Sequence, residues 1–276
     1  MLVHAPAKLN LCLYLGRRRS DGLHELCSLF EPLALADLIR VSGAERDEVE
    51  CLGVAGENIA ARALAGLRRR GWDRPPRRLE IEKRIPVAAG LGGGSADAAA
   101  VLRLAAGEVA DLEALAIELG ADVLSQLDPA LALVGGSGER VERLPDPAPH
   151  AVVLLPCGGG LSTAAVFAES DRLGLGRDDA ELGALAGSLR AAAGAGASPL
   201  AYAALLENDL EPAARSLRPD IGEALDALRD AGAPLALLTG SGPTAFGLFP
   251  TVADAREAAT AIGRDEAIVC EAGRVR

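Results

Sequence analysis

Residues 85 to 107 read IPVAAGLGGGSADAAAVLRLAAG, and Gly90, Gly92, Gly93 and Gly94 crowd together between an extended segment and an alanine-rich helix. Backbone without side chains lets N–H groups close onto an anion, and a helix that begins there turns its positive end toward the same point. Ser95, Ala96 and Asp97 open the expected helix, with Ser95 placed to cap it or to touch a phosphate or a metal. Two familiar phosphate loops fit poorly. Counted from Gly90, the third glycine of G-x-G-x-x-G is replaced by Ser95, and the lysine position of a Walker A loop is Gly94. What remains is the physical core that both loops share, a backbone cradle at the mouth of a helix. A serine-capped turn alone needs far fewer glycines.

Cations are the second chemical signal. Of 28 basic residues only Lys8 and Lys83 are lysine, which makes each worth explaining. Lys8 lies in VHAPAKLNLCLYLG, a stretch alternating apolar and polar residues in the manner of a strand. Lys83, in EKRIP, reads as a solvated lysine on a strand.

The elements that must position these groups follow from pattern. LADLIRVSG and RRLEIEKRI read as further strands. SADAAAVLRLAAG and DLEALAIELGADVLSQL carry helical spacing, and ALALVGGSGERVERL returns to strand and turn. HAVVLLPC is a short buried strand after the proline-rich LPDPAPH. Helices are expected over 162–172, 179–192, 201–215, 219–231 and 251–262, with a strand–turn–strand at LALLTGSGPTAFGLFP and a last strand at EAIVCEA. Runs of strands and runs of helices predict an α+β chain rather than regular βαβ alternation. The proline cluster divides it into lobes of residues 1–147 and 148–276.

Composition bounds the partners. With 276 residues, half of them apolar, the chain can build a full core without disulfides. A formal charge of −11 argues against nucleic acid and anionic membrane as general partners and favours small molecules. Cys12, Cys27, Cys51, Cys157 and Cys270 form no C-x-x-C pair and the three histidines are far apart, so neither a zinc site nor a disulfide framework is indicated. No basic leader precedes an apolar stretch, and no apolar run nears the roughly 18 residues of a membrane span; a cytoplasmic protein is expected.

PVAAGLGGGSADAAAVL resembles the phosphate loop of the GHMP kinases, the superfamily of galactokinase, homoserine kinase and mevalonate kinase. APAKLNLCLYLGRRRSDGLHELCSLFEPLALAD, with its P-A-K-x-N-L and R-x-D-G-x-H-x-L patterns, narrows the resemblance to the 4-diphosphocytidyl-2-C-methyl-D-erythritol kinases. NIAARAL, LGADV, LSTAAVF, ENDLEPAA and LTGSGPTAFGLF extend it in order over nearly the whole chain.

The resemblance implies a two-lobe fold with the active site in the cleft between lobes, and ATP-dependent phosphorylation of a substrate 2-hydroxyl. It assigns the triphosphate to Pro86, Gly90, Leu91, Gly92, Gly93, Gly94, Ser95 and Ala96, within an N-terminal ATP-binding lobe, and gives the C-terminal lobe to substrate. Lys8 and Asp122 become the catalytic pair: Asp122 accepts or orients the hydroxyl proton, while Lys8 positions the hydroxyl and offsets developing charge. Asn10 and His24 read cytosine or the methylerythritol hydroxyls, Phe167 stacks on the base, and Gly240 and Ser241 face substrate or phosphate. Mg2+ is expected with ATP, Ser95 being its candidate ligand. Asn208 and Asp209 are read as structural.

Two departures are local: Leu23 stands where the pattern usually has tyrosine, and VLSQLDP follows Asp122 where proline and aromatic residues are usual. Alternatives from the residues are a kinase of another small alcohol, such as mevalonate or homoserine, and a non-catalytic ATP-binding protein.

Overall fold

A computed structural model describes residues 1–54 and 58–273. Two long strands, β1 (Leu2–Arg18) and β2 (His24–Gly43), form an antiparallel hairpin that pairs Asn10 with Phe30 and Lys8 with Pro32. Register shifts fall on either side of these two pairs, between Pro6 and Lys8 and between Asn10 and Cys12. Such bulges re-aim side chains locally. Lys8 and Asn10, two residues apart, share one face of the strand.

β1 runs along one edge of β2; on the other edge β4 (Arg77–Glu82), with β3 (Glu48–Cys51) beyond it, pairs with Leu38–Gly43, and β5 (Ala132–Gly136), with β6 (Arg140–Arg143) beyond it, pairs with Leu26–Phe30. Helices α1 (Ile59–Arg69), α2 (Gly93–Arg103), α3 (Leu112–Leu119) and the short α4 (Val123–Gln126) complete this part of the chain. Their core joins Leu64, Leu67, Ala99, Leu102 and Leu115 to Ile39, Leu79 and Ile81 of the strands. Ala96, Ala98 and Ala99 are wholly buried on α2, where small side chains permit close approach to its neighbours.

The second sheet is antiparallel throughout, in the order β10-β7-β9-β8, from β7 (Ala151–Pro156), β8 (Leu235–Leu238), β9 (Thr244–Phe249) and β10 (Ile268–Glu271). Around it lie α5 (Thr163–Leu173), α6 (Asp179–Ala193), α7 (Glu211–Leu217), α8 (Asp220–Asp230) and α9 (Val252–Ile262). Leu9, Leu11, Leu29 and Leu33 of the hairpin meet Val152, Leu154, Phe246 and Leu248 of the second sheet in a shared core. The expected α+β, two-lobe architecture is what the chain adopts, with residues 144–150 running between the two sheets without regular structure.

Two expected helices are interrupted. Residues 111–127 break at Gly120 into α3 and α4. Residues 201–215 divide into a 3-10 turn, Pro199–Leu205, and α7. The second break has a clear cause: Glu207 and Asp209 exchange backbone hydrogen bonds with Leu13 of β1 at 2.8 Å each. Asn208 meanwhile donates from its amide to the Leu238 and Gly240 carbonyls, at 2.6 and 2.8 Å, and caps Leu210 N–H at 2.9 Å. Asp209 accepts from Leu15 N–H and from Arg177. Both residues are structural, as their sequence context suggested.

Candidate active site

Lys8 is buried, and its backbone N–H donates to the Leu91 carbonyl at 3.0 Å, tying β1 to the glycine loop. Its Nζ lies 3.4 Å from Asp122 Oδ2, donates to Asn10 Oδ1, and sits 4.7 Å above the Phe30 ring. Asp122 stands at the N-cap position of α4, yet its carboxylate makes no capping bond. The carboxylate is left to Lys8 and to the cavity. Asn10 donates from its amide to Ser28 Oγ at 2.9 Å, and its backbone N–H reaches Thr239 Oγ1 at 2.9 Å. The near-complete burial of Asn10 and these partners make it a group that holds Lys8 in place.

A cavity of about 810 Å³ opens over this pair, lined by Lys8, Asn10, His24, Asp122, Phe167 and Ser241 among others. A second, of about 360 Å³, is lined by Pro86, Gly90, Leu91, Gly92, Gly93, Gly94 and Ser95, with Asn58, Ile59 and Lys83. Gly90, Gly92 and Ser95 border both, so the glycine loop is the partition between them.

α2 begins at Gly93, two residues earlier than expected, and its first helical bond runs from Ala96 N–H to the Gly92 carbonyl at 2.9 Å. The N–H groups of Gly93, Gly94 and Ser95 are therefore the free donors of the first turn. Ala96 departs from its expected role: its N–H is used and its side chain is sealed in the core under the loop. At Gly92, φ is +69° and a Cβ would come 2.8 Å from Lys8 Cγ. At Gly90, φ is +78° and a Cβ would meet the Gly242 carbonyl oxygen at 2.7 Å. The loop thus packs backbone to backbone on the second glycine turn, where Gly240 and Ser241 line the larger cavity and Ser241 meets Thr163 Oγ1 at 2.9 Å.

Lys83 is not the solvated strand residue its neighbours suggested. Its side chain is 14% exposed and bonds to Asp37 and, at 2.8 Å, to Asp97 Oδ2. Asp37 is fully buried and also accepts from the N–H groups of Arg84 and Ile85, at 2.6 and 2.8 Å, so it anchors the strand end that feeds Pro86 and the loop. One ammonium serves two buried carboxylates. Burial, with the negative Asp37 nearby, pushes Asp97 up to about 7, while the two acids raise Lys83. Asp97 Oδ1 has no hydrogen-bond partner. Asp37 and Asp97 carried no local sequence signal beyond their type; the scarcity of lysine was the only pointer to the cluster.

At the other end of the larger cavity, His24 Nε2 lies 2.7 Å from Asp171 Oδ1. The His24 and Phe167 rings are 5.2 Å apart, tilted by 38°. Leu23 lines the same end and is 52% exposed. Phe30 and Asp171 escaped the sequence reading, since an aromatic on an apolar strand and an acid on a helix carry no distinguishing pattern.

All five cysteines are unpaired, and burial pushes every thiol up, so none is poised as a thiolate. Among the described residues no cluster of three metal-binding side chains occurs, and no helix is long and apolar enough to cross a membrane.

Comparisons with known proteins show the family. The GHMP kinases N terminal domain matches residues 58–136 and the GHMP kinases C terminal matches residues 180–267. The 4-diphosphocytidyl-2-C-methyl-D-erythritol kinase of Thermobifida fusca (strain YX) is 40% identical over 94% of this chain and 90% of its own length. That of Anaeromyxobacter dehalogenans (strain 2CP-C) is 42% identical over 94% and 83%. A crystal structure of 4-(cytidine 5'-diphospho)-2C-methyl-D-erythritol kinase, 36% identical, superposes over the whole of both chains with a TM-score of 0.84. With the paired lysine and aspartate, the glycine partition and this similarity from end to end, the chain belongs to the 4-diphosphocytidyl-2-C-methyl-D-erythritol kinase family of GHMP kinases.

Proposed function

We propose that this chain transfers the terminal phosphoryl group of ATP to the 2-hydroxyl of 4-diphosphocytidyl-2-C-methyl-D-erythritol, in the non-mevalonate route to isoprenoid precursors. The observation that carries the reading is the Lys8–Asp122 pair, 3.4 Å apart on one side of a glycine loop whose other side is a second cavity. In this reading the smaller cavity takes ATP, its base beside the apolar Cys51, Val54, Ile59 and Val87 and its phosphates over the free N–H groups of Gly93, Gly94 and Ser95. The acceptor fills the larger cavity, with its cytosine near His24 and Phe167 and its hydroxyl at Lys8 and Asp122.

Asp122 takes the hydroxyl proton as the oxygen bonds to the γ-phosphorus and the bond to ADP breaks. Lys8 offsets the charge that develops on the transferring oxygens, and Asn10 fixes the Lys8 ammonium for that task. Burial of Lys8 strengthens this interaction, because little water competes for the ammonium. Mg2+ accompanying ATP would supply charge neutralisation at the β- and γ-oxygens. The Ser95 hydroxyl fits it as a ligand, since it lines both cavities and the described residues leave it without a hydrogen bond. Few protein ligands suffice for an ion that keeps its waters and the phosphates. Division of the chain at 147/148 and a cytoplasmic setting, in keeping with five unpaired cysteines, belong to the same proposal.

The test is ATP-dependent phosphorylation of 4-diphosphocytidyl-2-C-methyl-D-erythritol by the purified protein, with mevalonate and homoserine in parallel. Transfer to the cytidyl substrate alone is expected. Transfer only to another alcohol overturns the substrate, and binding of ATP without transfer to any of them overturns the reaction.

A further inference from the structure

The pairing of His24 with Asp171 decides which way the imidazole can read a ligand. An ionised carboxylate only accepts hydrogen bonds, so the 2.7 Å contact between Asp171 Oδ1 and His24 Nε2 requires the proton on Nε2. In the neutral ring the other nitrogen, Nδ1, is then a bare acceptor. Nδ1 has no hydrogen-bond partner among the described residues, and His24 lines the larger cavity beside Phe167. Asp171 is itself steadied from its other oxygen, Oδ2, by Arg18 at 3.8 Å, and the Phe167 ring backs the imidazole.

An acceptor at this place distinguishes the pyrimidines. Cytosine carries a 4-amino group, a donor, where uracil in the same pose carries a carbonyl oxygen, an acceptor. We infer that Asp171 is a specificity-determining residue: it fixes the Nε2–H tautomer of His24, and the acceptor so created at Nδ1 reads the 4-amino group of cytosine. This inference rests on the functional reading above for its substrate and on the His24–Asp171 geometry for its mechanism. Asp171 is a positioning residue, acting through His24.

Two measurements test it. The first needs no substrate: long-range 1H–15N spectra of the intact protein at about pH 8, where a free imidazole is neutral. With only three histidines in the chain, a His24→Gln variant identifies the His24 signals. The wild type is expected to show a protonated Nε2 and an unprotonated Nδ1. Asp171→Ala is expected to give a mixture of tautomers, and Asp171→Glu to restore the single one. Unchanged signals from the buried His150 show that the variants are folded. A proton on Nδ1 of the wild-type ring, or a tautomer that ignores Asp171→Ala, overturns the inference.

The second measurement compares kcat/KM for the cytidyl substrate with that for its uracil analogue. In Asp171→Ala the preference for cytosine should shrink by about 10-fold, the scale of one hydrogen bond, mainly through KM, and Asp171→Glu should recover it. Equal losses on both substrates would leave Asp171 a merely structural role and overturn the inference. Turnover of neither substrate by the wild type refutes the reaction and with it the reading of the amino group, while the spectra decide the tautomer by themselves.

Discussion

At the proposed phosphate end, Lys8, Asn10, Lys83, Asp37 and Asp97 are largely buried, the lysines and Asn10 each meet partners on different elements, and Asp37 accepts from Lys83, Arg84 and Ile85 in turn. At the proposed base end, Leu23 is half exposed, and His24 rests on Phe167 and on an Asp171 whose side chain is 38% exposed. Charges removed from water interact strongly and tolerate no loss of a partner, whereas those near solvent are screened. On the proposed assignment the chemistry is built into the buried hairpin and loop, and the discrimination into a few side chains at the rim. Substitutions should cost most at the first and least at the second.

The largest effect is expected from Asp122→Asn, which keeps the shape of the carboxylate but cannot take a proton. Turnover should fall by roughly 10²–10⁴, the scale of a general acid–base contribution, with ATP affinity by titration nearly unchanged. Wild-type-like turnover would remove Asp122 from the chemistry. Lys83→Met attacks the other lysine of the same end. Losing its one ammonium leaves two carboxylates together, at a cost of about 3 kcal/mol, the lower end of the range for breaking a buried pair because Lys83 is slightly exposed. The midpoint of urea unfolding reads this directly, and a change under 1 kcal/mol would mean that the cluster is open to water.

The same cluster gives a pH dependence with a definite sign. Asp97 titrates at about 7 in the folded chain against an ordinary 3.8, so between these values the folded chain holds a proton that the unfolded chain has released. Its contribution to stability is full below about 4 and is lost as pH rises through about 7. Urea midpoints across that window should decline, and Asp97→Asn should flatten the decline. A midpoint that rises steadily over the window and is unaltered by Asp97→Asn would contradict the assignment.

The glycine loop offers a contrast inside a single turn. Gly90→Ala forces a Cβ into a positive φ and to within 2.7 Å of a backbone carbonyl, whereas a Cβ at Gly94 meets only Ile59 Cγ2 at an ordinary 3.5 Å. The first should lower kcat/KM by about 10-fold or more through strain of roughly 1–2 kcal/mol. The second should stay within about 2-fold, alanine being well suited to a helix. Similar kinetics for the two variants would show that the loop adapts to either.

How far the sequence could be read follows the same division. Gly90 to Ser95 announce themselves because backbone binding of an anion demands a local composition, and Lys8 because lysine is scarce and the strand pattern plain. Asp122, His24 and Phe167 were legible only through family resemblance, since the side chains they meet lie far off in sequence: His24 contacts Asp171, 147 residues away. Lys83 was misread for that reason, its partner Asp37 standing 46 residues earlier. Helix periodicity marked α5, α6, α8 and α9 well, but it ran straight through Asn208, where pairing with β1 overrides local preference. β2 begins eleven residues before the strand pattern of LADLIRVSG, because burial on both faces removes the alternation that marks a strand.

The smallest effect belongs to the rim. Leu23→Tyr would add a second aromatic ring to the cavity lining that holds Phe167, and stacking of a base on it contributes about 0.5–1.5 kcal/mol. Ordering a half-exposed side chain offsets part of that gain, so KM for the cytidyl substrate should fall only about 2- to 5-fold. The base lies away from the reacting hydroxyl, and a contact made equally in ground and transition states leaves kcat unchanged. Stacking is also indifferent to the exocyclic group, so the uracil analogue should gain by the same factor, whereas Asp171→Ala alters the ratio between the two. A Leu23→Tyr enzyme whose kcat moves while KM stays fixed would mean that the rim and the phosphate end are coupled, and that the division between them is not one of independent parts.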